Sequence, residues 1–260
     1  MNKTSDVFKK GKAFIPFITG GDPELDLTER LIVKMAEAGA DLIEIGIPFS
    51  DPVAEGPTIQ KANARALASG TTTDGIFHML ERVREQTDIP LALMTYANPV
   101  FVYGAEKFME RAARAQVCAL IVPDLPLEER GELLPFCQEY GIDLIPLIAP
   151  TSQERISSIA KSASGFVYCV SSLGVTGVRE DFSSSIEEMV VLVKKASKIP
   201  CAVGFGVSTP DQAKKIASFA DGVIVGSAIV QIIEEHGLEC IPYVKDYIRK
   251  MKKAIESLES

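Results

Sequence analysis

Two carboxylates in unusual surroundings are the first candidates for chemistry in this chain. Glu44 stands inside the run Leu42-Ile43-Glu44-Ile45-Gly46, and strand alternation puts it on the same face as Leu42 and Gly46. A carboxylate buried there must either pair its charge or raise its pKa, and a carboxyl poised nearer neutrality suits general acid or base work. The alternative is a structural carboxylate bonded to lysine or backbone. Glu55 lies in the loop Phe49-Ser50-Asp51-Pro52-Val53-Ala54-Glu55-Gly56-Pro57, just ahead of a helix beginning at Thr58-Ile59-Gln60. If that loop folds back, Glu55 meets Glu44; if not, Glu55 is simply solvated. Asp51, before Pro52, reads equally well as a turn residue.

Glycines form a second constellation. Gly204-Phe205-Gly206-Val207-Ser208 and Gly226-Ser227 each follow a short apolar run, where backbone N–H groups and a helix amino terminus can hold an anion. Ser227 would start such a helix and add a hydroxyl. The pattern lacks the third glycine of the dinucleotide fingerprint, so a Rossmann site is rejected, while tight turns alone remain the plainer reading. The polar segment from Ser171 to Ser185, with Gly174 and Gly177, is long for a connection and reads as a lid or an idle surface loop. His78 lies in a helical pattern and His236 at a helix end, neither placed for catalysis or a metal. No G-x-S-x-G or P-loop lysine motif is present.

The elements that must position these residues follow from a diverged repeat. Ala36-Glu37-Ala38-Gly39-Ala40-Asp41 leads into Leu42-Ile43-Glu44-Ile45, Ile216-Ala217-Ser218-Phe219-Ala220-Asp221 into Gly222-Val223-Ile224-Val225, and Ala115-Gln116-Val117-Cys118 into Ala119-Leu120-Ile121-Val122. Apolar runs of this length between helical segments read as strands covered on both faces. Eight occur: 13–19, 42–46, 91–95, 119–122, 144–148, 166–170, 201–204 and 222–225. No Pro-, Gly- or Ser-rich linker interrupts them, which predicts one domain over 1–260, a closed (β/α)8 TIM barrel of the α/β class. A doubly wound open sheet is the alternative. In a barrel the loops after the strands carry the reactive face, which favours functional readings of Glu44 and of the glycines after strands seven and eight.

Composition narrows the rest. The 260 residues are 47% hydrophobic and 24% charged, enough for a large core under a solvated surface. A net charge of −8 repels nucleic acid and anionic membrane. The polar amino terminus and short apolar runs predict a cytoplasmic protein without signal or membrane span. Five scattered cysteines without a C-x-x-C pair read as buried thiols and argue against a disulfide framework or zinc site.

Five ordered segments carry a family resemblance: Phe14-Ile15-Pro16-Phe17-Ile18-Thr19-Gly20-Gly21-Asp22-Pro23, Glu44 to Pro52, Gly56-Pro57-Thr58-Ile59-Gln60, Gly174-Val175-Thr176-Gly177 and Gly204 to Ser208. Together they closely resemble the tryptophan synthase α subunit family, from about Phe14 to Ile233. The resemblance implies a lyase that splits indole-3-glycerol phosphate by a retro-aldol reaction into indole and glyceraldehyde 3-phosphate, in tryptophan biosynthesis. It implies no metal or cofactor in this subunit, and a pyridoxal-phosphate β subunit as partner in an αββα heterotetramer. Glu44 matches the family's principal acid/base. Glu55 falls where the family usually has an aspartate, a departure of one methylene that the loop would have to absorb, with Gly56 as the expected source of backbone freedom. Phe17, Ile121, Leu147, Tyr168 and Phe205 are expected to wall the indole pocket, with Thr176 steadying the second carboxylate. Gly177, Gly206, Gly226 and Ser227 are expected to hold the phosphate. Loops around Pro48, Asp51, Asn98 and Pro126 are expected to face the β subunit. Two rival readings share these residues: a stand-alone lyase that releases indole, and a catalytically weak subunit kept to activate a β partner.

Overall fold

The structure, a computed structural model, describes residues 4–149, 153–170, 182–204 and 206–258. In chain order the regular elements are β1 (Ala13–Thr19), α1 (Leu25–Glu37), β2 (Ile43–Gly46), α2 (Pro57–Ala68), α3 (Thr73–Arg84), β3 (Leu91–Met94), α4 (Ala97–Tyr103) and α5 (Ala105–Arg114). There follow β4 (Ala119–Ile121), α6 (Leu134–Glu139), β5 (Asp143–Ile145), β6 (Leu147–Ile148), α7 (Gln153–Ser162), β7 (Val167–Val170) and α8 (Phe182–Ala196). The last are β8 (Cys201–Gly204), α9 (Pro210–Ala217), β9 (Gly222–Val225), α10 (Ser227–His236) and α11 (Ile241–Glu256).

All strand pairs are parallel, in the order β5-β4-β3-β2-β1-β9-β8-β7-β6. The two ends of that order, β5 and β6, are consecutive pieces of one strand, so the sheet closes on itself as the eight-fold barrel expected. The fifth strand is therefore not the continuous 144–148 run read from the sequence. Pro146 splits it, because proline has no N–H to give the ladder, while its carbonyl still accepts from the Tyr168 N–H at 3.0 Å. The open-sheet alternative is excluded.

Alternate strand residues sort into two cores. Ala13, Ile15, Leu42, Ala92, Ala119, Ile121, Ile145, Tyr168, Ala202 and Ile224 pack inside the barrel. Phe14, Ile18, Ile43, Ile45, Leu91, Leu93 and Val223 pack outward against the helices. A short 3-10 helix at Thr4–Lys10, not foreseen from the polar amino terminus, plugs the bottom, where the Phe8 ring lies 5.5 Å from Phe166. Only the upper mouth is left for chemistry. The five cysteines are buried and unbridged.

The sequence repeat has a physical purpose. At Ala40-Asp41 and Ala220-Asp221 the aspartate N–H donates to the carbonyl of the neighbouring strand's entry residue, Phe14 at 3.0 Å and Cys201 at 2.8 Å. Each carboxylate then accepts from that same residue's N–H, at 2.7 Å for Phe14 and 3.0 Å for Cys201. Lys252 and Lys194 neutralise the two charges at 2.7 and 2.9 Å. Partial burial pushes the Asp221 carboxyl up, but the Cys201 N–H and Lys194 outweigh it and hold the group below its ordinary range. A depressed carboxyl stabilises the fold above its unfolded pKa and loses that contribution as pH falls. Asp221→Ala should therefore cost about 1–3 kcal/mol at pH 7, the usual penalty for leaving a buried N–H unpaired. In urea unfolding the gap to wild type should close towards pH 3; a gap unchanged with pH would contradict this role.

Candidate active site

Glu44 sits at the middle of β2, in register with Phe17 of β1 and Ala92 of β3. It points into the barrel, is 1% exposed, and neither carboxylate oxygen has a hydrogen-bond partner. The structural alternative, a carboxylate satisfied by lysine or backbone, is thus not what is seen. Desolvation, and then the charge of Glu55, push its pKa up to about 8. Tyr168, on the far wall, is in turn raised well above its ordinary value by burial and by the charge of Glu44.

Small residues make room around the carboxyl. A Cβ at Gly46 would stand 2.7 Å from the Phe17 ring, and one at Gly204 would stand 2.7 Å from the Tyr168 hydroxyl. Both aromatic rings therefore press against strand ends where any Cβ would collide with them. Gly226 also touches Phe17, its would-be Cβ 3.2 Å from the ring, so one aromatic side chain spans from the end of β2 to the start of α10. Of the expected indole-wall residues, Ile121, Leu147 and Tyr168 share the interior cluster, and Phe17 belongs to a neighbouring one with Ile59, Ala62 and Val230. Thr176, Gly177 and Phe205 lie outside the described residues, as do 171–181 of the segment Ser171 to Ser185 expected as a lid or surface loop; its last part, from Phe182, is not loop but the start of α8.

Glu55 does fold back. It is half-buried, and its charge acts on both Glu44 and Tyr96. Burial lifts its own pKa to about 7, against a lowering contribution from Asn63, whose side-chain N–H donates to Oε2 at 2.5 Å. The loop is held on either side of the residue: the Ala54 N–H donates to the Tyr96 hydroxyl at 3.0 Å, and Gln60 donates to the Glu55 carbonyl at 2.8 Å. Gly56 does not supply the backbone freedom expected of it. Its φ of −77° and ψ of 169° are open to any residue, and a Cβ there would meet nothing within 4 Å. The Glu55 side chain runs towards α2, where Asn63 meets it.

Asn63 and Tyr96 were not among the residues singled out from the sequence. The signal for Asn63 was present: Ile59, Ala62, Asn63 and Ala66 follow the helical i, i+3, i+4, i+7 spacing, so an amide interrupts the buried stripe of α2. Tyr96 carried no comparable signal beyond following a strand.

At the mouth, Gly226 precedes α10, whose first turn has no side-chain cap and no acidic residue, and Ser227 is exposed there. Gly206 has a positive φ of 74° with open space on its Cβ side. No lysine or arginine occurs in 204–208 or 226–230, so these two segments themselves can offer an anion only backbone N–H groups and hydroxyls. Among the described residues no cluster of His, Cys, Asp or Glu is arranged to hold a metal ion. Of the residues expected to face a partner, Asp51 and Asn98 are exposed and Pro126 half-buried, whereas Pro48 is buried, so its loop meets solvent through neighbours. Val53 and Val102, on the connections after β2 and β3, are 83% and 80% exposed.

Comparison with known proteins gives a consistent result. A family model described as tryptophan synthase alpha chain matches residues 4–257. The tryptophan synthase alpha chain of Lacticaseibacillus casei is 46% identical over 257 residues, covering 99% of this chain and 97% of that protein. The one from Caldanaerobacter subterraneus subsp. tengcongensis is 48% identical over 253 residues, covering 96% and 97%. The crystal structure of tryptophan synthase subunit alpha from Legionella pneumophila superposes with a TM-score of 0.90 at 36% identity, over 99% of both chains. A chain of Mycobacterium tuberculosis tryptophan synthase gives 0.89 at 35% identity, over 98% of both chains. Barrel closure, the two convergent carboxylates and these full-length likenesses agree: the chain belongs to the tryptophan synthase alpha chain family.

Proposed function

We propose that Glu44 and Glu55 divide the work of the family's carbon–carbon lyase reaction, the cleavage of indole-3-glycerol phosphate to indole and glyceraldehyde 3-phosphate in tryptophan biosynthesis. The observation that carries this reading is a fully buried carboxyl with both oxygens unpartnered, within electrostatic reach of a second carboxyl. With pKa values raised to about 8 and about 7, the deeper group keeps its proton to higher pH, which favours a protonated Glu44 beside an ionised Glu55.

That division fits the chemistry. Protonated Glu44 gives its proton to indole C3, and the ring becomes an indoleninium with positive charge near its nitrogen. Ionised Glu55 accepts the indole N–H and stabilises that charge more than it does the neutral ring. The Glu44 carboxylate then takes the proton of the glycerol hydroxyl next to the ring as the carbon–carbon bond breaks. The bond's electrons return to the ring, releasing indole and the aldehyde. Since the ring itself receives the electrons, this route needs no metal or cofactor. Phe17, Ile121, Leu147, Tyr168 and Phe205 wall the indole, Thr176 steadies the second carboxylate, and Gly177, Gly206, Gly226 and Ser227 hold the phosphate.

The indole goes to a β subunit that carries pyridoxal phosphate, in an αββα assembly working in the cytoplasm, and the loops around Pro48, Asp51, Asn98 and Pro126 face it. Exposed Val53 and Val102 beside those loops support a covered surface. The clamped position of Glu55 speaks against a subunit that has lost its own catalysis. Measuring cleavage with and without a β subunit separates the readings: a slow rate alone that rises with β supports this one, a fast rate unaffected by β supports a stand-alone lyase, and no cleavage in either case supports a weak subunit.

Glu44→Gln should lower turnover at least about 10²-fold, the usual contribution of general acid/base catalysis, and a variant keeping more than about a tenth of the activity would contradict the role. The same change should affect stability with a defined sign. A carboxyl raised in the folded state takes up a proton on folding between its unfolded pKa and about 8, so wild-type stability declines as pH rises through that window. The glutamine variant lacks this decline and should gain on wild type, by on the order of a few kcal/mol, between pH 5 and 9. A pH-independent difference would refute it. Among position-55 variants assayed with a β subunit, wild type should be fastest and Glu55→Gln slowest. A Glu55→Asp variant faster than wild type by about tenfold, or about 1.4 kcal/mol of barrier, would mark Glu55 as a handicap. A structure with glycerol phosphate should place the anion on the amides near Gly206 and Gly226 with Ser227 assisting; an anion on a distant Lys/Arg cluster would remove that assignment.

A further inference from the structure

We infer that Asn63 is a positioning residue for Glu55, setting the reach of the longer carboxylate so that one oxygen is held and the other stays free for the substrate. The inference rests on the reading of Glu55 given above and deepens it. Three observations lead to it. The Asn63 amide donates to Glu55 Oε2 at 2.5 Å, and it is the only side chain that hydrogen-bonds that carboxylate among the described residues. Asn63 is 3% exposed, so the bond forms away from water, where a donor lost is not replaced. Finally, the helix that presents it is fixed independently. Arg65, one turn's edge away on α2, grips buried Asp22 through two bonds of 2.8 Å and Glu234 of α10 at 3.0 Å, while Ile59 and Ala62 pack on Phe17 and Val230.

The consequence is geometric. A glutamate has one more rotatable bond than an aspartate, and an untethered one would sample positions that miss the indole nitrogen. Bonded to a rigid helix, Glu55 keeps Oε2 on the amide and leaves Oε1 to accept a substrate N–H. An amide N–H also favours the ionised form of its acceptor, the form that can stabilise positive charge. The other ionisable groups acting around Glu55 are Glu44 on β2 and Tyr96 after β3, and neither donates to it as an ammonium or guanidinium would. Asn63 therefore does what a cation would do elsewhere, without adding a competing charge to the pocket.

The test is a set of position-63 variants in the full chain with a β subunit, followed by indole-glycerol-phosphate cleavage as a function of pH. Asn63→Ala should lower kcat at least about tenfold and move the acid limb of kcat/KM to higher pH, a displacement that loss of stability alone would not produce. In a Glu55→Gln background the same change should alter kcat less than about twofold, because there is no carboxylate left to place. Moving the methylene across the bond provides the rescue: Glu55→Asp combined with Asn63→Gln should recover most of the rate that Glu55→Asp alone loses, even if Asn63→Ala folds poorly. Asn63→Ala with wild-type kcat and pH profile, while Glu55→Gln is still slow, would overturn this inference and leave the role of Glu55 standing. If Glu55→Gln itself cleaves at the wild-type rate, the underlying reading fails first.

Discussion

Placing the Glu44 carboxyl inside the barrel, with neither oxygen bonded, sets the conditions under which the other features of the site make sense. An ionised carboxylate in such surroundings is strongly disfavoured, and a protein commonly meets that cost by keeping the proton on the group. Every nearby feature preserves this state. Among the described residues no lysine or arginine is paired with it, Phe17 and Ala92 flank it in the sheet, and the nearby Glu55 adds a repulsive charge. On the role proposed for Glu44, the fold gives up stability at alkaline pH in exchange for an acid ready near neutrality, a trade met often at catalytic groups.

The barrel makes that trade tolerable because its remaining parts are over-determined. The strand ladder closes through the split fifth strand, the bottom is plugged by Phe8 against Phe166, and reciprocal aspartate bonds pin the entries of β1 and β8. Within the barrel itself, the buried polar atoms without a partner belong to Glu44 and to residues towards the upper mouth, the face on which barrels of this type carry their loops. Thr19 and Thr95, whose buried hydroxyls have no partner, belong to the ends of β1 and β3 at that same mouth.

How much of this was legible in the sequence differs by element. The strand runs could be read because a parallel barrel buries both faces and writes continuous apolar stretches, and Glu44 stood out as the exception within one. The break at Pro146 was hidden because the flanking Leu144-Ile145 and Leu147-Ile148 keep the apolar pattern unbroken on either side. Glu55 could be named but not placed: its position depends on the bonds from Ala54 to Tyr96 and from Asn63 to Glu55, which join residues 42 and 8 apart along the chain, and the buried amide of α2 marks Asn63 as unusual without saying what it meets. Gly56 misled for a general reason. Glycine permits unusual backbone angles without requiring them, and here the angles are ordinary.

The protonation state of one carboxyl decides the matter, and carbon-detected NMR of glutamate-labelled protein can follow it directly, with the Glu44 resonance assigned by its loss in Glu44→Gln. The structure predicts a titration midpoint near 8, moving down when Glu55 is made neutral, since the charge of Glu55 is the second cause of the shift. A midpoint near the ordinary glutamate value of about 4.3 would show that Glu44 is ionised and solvated at neutral pH, and would contradict the role assigned to it.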